Sequence, residues 1–81
     1  MYDPAVQRAL LEKLVRWRRL PESDLIAMLS PIERLRFRPA AIDDLEWDGL
    51  IVAQAAGDER MVSITEAGEA WLRQAAGEGG E

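Results

Sequence analysis

The stretch Ile42-Asp43-Asp44-Leu45-Glu46-Trp47-Asp48-Gly49-Leu50-Ile51 decides how this chain folds. Ile42 and Leu45 stand at helical spacing on one face. Gly49 permits the left-handed turn that ends a helix, and Leu50-Ile51 opens a β-capable run. Working backward, Pro39 suits the first position of a helix and disfavours helical geometry at Arg38, so the spacing predicts a helix from Pro39 to Asp48. Working forward, Leu50 to Gln54 and Arg60 to Ile64 are β-capable runs separated by Ala55-Ala56-Gly57-Asp58-Glu59, which suits a hairpin with a longer loop at Gly57-Asp58. Thr65 then reads as the N-cap of a last helix from Glu66 to Ala76, with Trp71 and Leu72 available for packing.

Upstream, Asp3-Pro4 is a helix start: the carboxylate accepts first-turn N–H groups and proline fits the first helical position. A helix from Pro4 to Arg19 follows, with Val6, Leu10, Leu14 and Trp17 in one stripe that Leu11 and Val15 widen. Pro21 closes it. Glu22 to Leu29 reads as a short second helix that buries Leu25, Ile26 and Leu29, with Met28 filling a gap nearby. Ser30-Pro31-Ile32-Glu33 is a capping box that begins a separate short turn of helix. Trp17 and Trp71, on helices at the two ends of the chain, are expected in the core.

The chain has 81 residues, 48% of them hydrophobic and 31% charged, so one folded domain is expected over residues 1–76. Gly77-Glu78-Gly79-Gly80-Glu81 offers nothing to bury and is expected as a disordered tail. Cysteine and histidine are both absent, which removes disulfides, thiolate metal sites and thiol or imidazole catalysis. The expectation is a protein that is not an enzyme and takes no cofactor. Asp43, Asp44 and Asp48 do not make a metal site, because successive helical residues point in different directions. No apolar run approaches the roughly 18 residues of a membrane span, and the N-terminus lacks a signal-peptide pattern, so no membrane association and a cytoplasmic location are expected. The small size leaves a homodimer open.

The order helix, helix, helix, two-stranded hairpin, helix is that of a winged helix. Ile42-x-x-Leu45-x-x-x-Gly49-Leu50-Ile51 and Ile64-Thr65-x-x-Gly68-x-x-x-Leu72 resemble the corresponding junctions of the MarR/PadR-like winged-helix families of bacterial transcription regulators. The resemblance spans about residues 40 to 73. It implies a mainly α winged helix-turn-helix fold with three helices, a small two-stranded β-hairpin wing and a C-terminal helix. It also implies a third helix that enters the DNA major groove and a wing that reaches a phosphate.

Charge divides unevenly along the chain. Up to Ala40 there are eight cations and five acids, a balance of +3, and from Ala41 onward two cations against ten acids, a balance of −8. With Ile42 and Leu45 inward, the outer face of the third helix carries Ala40, Asp43, Asp44 and Trp47, flanked by Glu46 and Asp48. The leading expectation is a transcription regulator that binds double-stranded DNA through Arg34, Arg36, Arg38, Ala40, Ala41, Asp44 and the wing residue Arg60. Arg16, Arg18 and Arg19 are assigned instead to the C-terminal dipole of the first helix. The alternative is a protein-interaction module in which Asp43, Asp44, Trp47 and Asp48 meet a basic partner or mimic the charge of DNA. Trp47 has a plainer account too, packed into its own core or a dimer seam.

Overall fold

The computed structural model describes residues 4–79, with side chains through Ala75. The elements are α1 (Pro4–Trp17), β1 (Arg19–Pro21), α2 (Glu22–Ala27), α3 (Pro31–Arg36), α4 (Ala40–Trp47), β2 (Ile51–Ala56), β3 (Glu59–Ile64) and α5 (Glu66–Gly79). The protein is mostly helical with a small three-stranded antiparallel sheet, ordered β1-β3-β2, an α+β arrangement. None of the described helices is long and apolar enough to cross a membrane. The expected Asp3 cap lies outside the described residues, as do the last residues of the expected tail. α5 runs on to Gly79, past the expected end at Ala76.

The two-stranded sheet expected from the sequence is corrected to three strands. α1 stops at Trp17 rather than Arg19, because Arg18 takes a left-handed backbone conformation with φ 68° and reverses the chain. Arg19, Leu20 and Pro21 then extend and pair with Ser63, Val62 and Met61 of β3. So short a run carries no local β signal and needs its partner strand to become one. Four helices, not three, precede the hairpin, since the Ser30 capping box starts α3 as a helix of its own. The hairpin is also tighter than expected. Ala56 pairs with Glu59 across a two-residue turn in which Gly57, at φ 70°, supplies the left-handed conformation that matches strand twist.

α1 is the centre of the core. Its buried face of Val6, Ala9, Leu10, Leu11 and Leu14 meets Leu25 and Leu29, Ile42 and Leu45, and Leu20, Leu50, Ile51 and Val62. Phe37, Ile64, Trp71 and Leu72 pack against this cluster from its edges. Trp17 does not join it: the chain turns away at Arg18, and the indole is left 52% exposed with the Arg16 guanidinium 5.8 Å from its ring centroid. Met28, expected to fill a gap, is exposed as well.

Both junctions read from the sequence form as hydrogen-bonded units. Gly49, at φ 79°, follows α4; the Leu50 N–H donates to the Leu45 carbonyl and the Gly49 N–H to that of Glu46, each at 3.0 Å. These are the paired bonds of a Schellman motif. Thr65 Oγ1 accepts from the Gly68 N–H at 3.1 Å and donates to the Gly49 carbonyl at 2.7 Å, so one hydroxyl caps α5 and ties it to the end of α4. Gly68 is required by close approach: a Cβ there would collide with the Leu50 carbonyl oxygen and lie 2.7 Å from Ile64 Cγ1. Gly68→Ala is therefore expected to lower the unfolding free energy by about 2 kcal/mol or more through overpacking against backbone. Thr65→Val is expected to cost about 1–2 kcal/mol through loss of the cap. Urea unfolding followed by circular dichroism measures both, and a midpoint unchanged in either variant contradicts this account of the junction.

Candidate functional site

The hairpin strand β3 is bound into the helices at its first two residues. Arg60 Nε and Nη2 donate to Glu22 Oε1 and Oε2 of α2 at 2.9 and 3.1 Å, a bidentate pair, and Nη1 donates to Asp43 Oδ1 of α4 at 2.6 Å. These bonds, Glu22 first and Asp43 second, push the arginine pKa above its ordinary value. Glu59 Oε1 accepts from the Ser23 N–H at 3.0 Å, which caps α2 from across the chain where Pro21 provides no side-chain cap. The Ser23 hydrogen bonds hold the Glu59 carboxyl below its usual range.

The three arginines before α4 separate into different roles. Arg34 Nη2 donates to the Ala27 and Leu29 carbonyls at 3.2 and 3.1 Å, satisfying acceptors at the end of α2. Arg36 and Arg38 line a small cavity of about 30 Å³ together with Ala40, Ala41 and Asp44 at the start of α4, and Val6 and Gln7 of α1. Five of the seven residues expected to contact DNA thus surround one recess, while Arg34 and Arg60 are engaged with the protein's own carbonyls and carboxylates. α4 has no side-chain N-cap, since Pro39 occupies that position. The Gln7 side chain is 1% exposed, and neither its amide oxygen nor its nitrogen has a hydrogen-bond partner.

The other end of α4 differs in character. Ile42 and Leu45 are fully buried, Asp43 is exposed and bound to Arg60, and Asp44 is half-buried at the recess. Trp47 is 90% exposed, which corrects the expectation of a core position within the monomer. With the inward face occupied by Ile42 and Leu45, a residue five positions after Ile42 points away from the core. Glu46 and Asp48 beside it are exposed. They stand in the last turn and at the C-cap, where the helix dipole disfavours negative charge, so local helix stability does not account for them. Of the first helix's terminal arginines, Arg18 Nη2 donates to Glu69 Oε2 of α5 at 2.7 Å, a tertiary contact instead of the expected dipole role.

Gln7, Glu22 and Glu59 were not among the residues singled out from the sequence. Gln7 carried a signal: with Leu11 and Leu14 it falls at i, i+4 and i+7, a polar amide within an apolar stripe. Glu22 and Glu59 had none, because their partners lie 38 and 36 residues away. Among the described residues, no group of three or more Asp or Glu side chains is arranged to hold a metal ion. Comparison with protein-family models, with curated proteins and with solved structures finds no match for the chain.

Removing the Arg60 side chain leaves Glu22 and Asp43 without their shared partner. Arg60→Ala is expected to destabilise the fold by about 1–2 kcal/mol, the partial exposure of Asp43 limiting the loss. Arg60→Lys is expected to recover less than half of it, since an ammonium cannot reproduce the fork to Glu22. Full recovery by lysine in urea unfolding would reduce the contact to simple charge pairing. For Glu59, a lowered folded-state pKa means that its stabilisation is complete above the unfolded-state carboxylate pKa and is lost as pH falls through the folded value. Glu59→Gln should therefore flatten the acid side of a stability-against-pH curve, and an unchanged acid limb contradicts the capping role.

Proposed function

We propose that this protein is a non-enzymatic winged-helix module that binds a basic segment of another protein through the Trp47 end of α4. The fold is read as a winged helix because α2 and α4 are followed by the β2–β3 hairpin, which β1 completes into a sheet of order β1-β3-β2. The motifs that resemble the MarR/PadR-like families support the same reading. The observation that carries the function is Trp47, 90% exposed among carboxylates. A large indole left uncovered in the monomer is suited to serve as an interface anchor. Its face attracts a lysine or arginine side chain by cation–π interaction, and Glu46 and Asp48 supply complementary charge beside it.

Two features weigh against duplex DNA on this face. Arg60, the wing cation available for a phosphate, is already shared by Glu22 and Asp43. The hairpin tip is acidic at Asp58 and Glu59, and α4 with its C-cap adds Asp43, Asp44, Glu46 and Asp48, so a duplex bearing one charge per about 1.7 Å would be repelled. One observation favours DNA as the second reading: Arg36 and Arg38 stand together at the uncapped start of α4, where a phosphate is electrostatically favoured. A cytoplasmic location fits either reading.

The test is an NMR titration of the ¹⁵N-labelled chain with lysine- and arginine-rich peptides, alongside fluorescence anisotropy with random-sequence duplex DNA at low salt. The expected result is a shift of the Trp47 indole N–H and the Glu46 and Asp48 amides, weakened about tenfold or more in Trp47→Ala with the fold intact. No shift with any basic peptide overturns the proposal. Duplex binding that falls steeply with salt and is abolished by Arg36→Glu and Arg38→Glu replaces it with the DNA reading. A concentration-dependent dimer in sedimentation, lost in Trp47→Ala, overturns it in favour of a second copy of the chain as occupant.

A further inference from the structure

At the opposite end of α4 from Trp47, the recess between α1 and α4 holds a buried amide that has no hydrogen-bond partner. The Gln7 amide is buried at 1% exposure and lines this recess with both polar atoms unpartnered. Such a group carries its full desolvation cost unless something in the cavity meets it. Around it stand Arg36, Arg38 and the first residues of α4, Ala40 and Ala41, with the positive end of the helix dipole facing outward and no side-chain cap upon it. Asp44 is the single carboxylate of the lining and offsets one guanidinium, so the walls carry a net charge of +1.

We propose that this recess is a binding site for a small, singly charged oxyanion, a carboxylate or a monovalent phosphate. The occupant accepts from the Gln7 amide N–H at the floor and from the Arg38 guanidinium at the mouth, and its charge balances that of the walls. The cavity of about 30 Å³ admits an oxyanion's oxygen atoms while a larger body remains outside. Asp44 excludes doubly charged anions, because a second negative charge has no uncompensated cation to meet. The site stands independently of the protein-binding reading, which uses the other end of the helix.

The experiment titrates formate, acetate and inorganic phosphate separately into the ¹⁵N-labelled chain at constant ionic strength, with chloride as the reference anion. The expected result is a saturable shift of the Gln7 side-chain NH₂ and the Ala40 and Ala41 amides, at least about tenfold weaker in Gln7→Leu and in Arg38→Met. Phosphate acting only at a pH where it is singly charged, or carboxylates acting alone, separates the two sources of the group. Gln7→Leu serves also as the folding control: removal of an unpaired buried amide should leave the melting temperature equal or higher while the anion response disappears. Absence of saturable shifts with every anion overturns the proposal and leaves Gln7 to water. Anion shifts of full size in Gln7→Leu overturn it too, because they reduce the response to surface arginines.

Discussion

The Arg60 guanidinium is the contact on which the rest of the arrangement depends. It is planar, permanently charged and able to donate along several directions at once, so one side chain engages Glu22 as a fork and Asp43 as a third bond. Three elements distant in sequence, α2, α4 and β3, thereby share one charge centre. The backbone bond from Ser23 to Glu59 reinforces it one residue earlier on the same strand and completes the start of α2. A hairpin alone has no means of fixing its angle to the helices it leaves. Here that angle is set by the ion triplet beside its turn and by the Thr65 hydroxyl at its base, which bonds both α5 and the turn after α4.

This inward use of Arg60 alters what the molecule shows to a partner. The hairpin's cation is consumed by internal carboxylates, and the face beside it is left acidic. α4 consequently has two chemically opposed ends, separated by about 12 Å of helix. At its start, arginines, a helix terminus without a side-chain cap and a buried amide surround a recess. At its end, an exposed indole stands among carboxylates that the helix dipole disfavours. The buried Gln7 amide and the exposed Trp47 indole, which no internal partner explains, are the groups from which a binding function is argued.

The helices and the hairpin are legible in the sequence, while β1 is not. Pro4, Pro39 and Ser30 start helices, Gly49 ends one in a left-handed turn, and Thr65 begins the last, because each acts through bonds to residues within one turn of itself. Gly68 could be recognised as part of a motif, but its reason, the approach of the Leu50 carbonyl, is a tertiary one. The arginines of the candidate site were likewise visible as residues and not as roles. Arg34 and Arg60 turned to internal acceptors, while Arg36 and Arg38 gathered around a recess whose floor, Gln7, comes from α1, far from them along the chain.

By itself the sequence determined the order of helices and hairpin, the inward faces built on Leu10, Leu14, Ile42 and Leu45, and the excess of acid after Ala40. Helical periodicity, capping and net charge are local or additive properties, so they can be read along the chain. Only the tertiary structure decided that Arg19–Pro21 is a strand, that Arg60 belongs to Glu22 and Asp43, that Trp47 stands in solvent and that Gln7 is buried without a partner. Strand pairing, ion pairing and burial are each a relation between distant segments. Their outcome is set by which surfaces the packed core brings together, and no single segment contains that information.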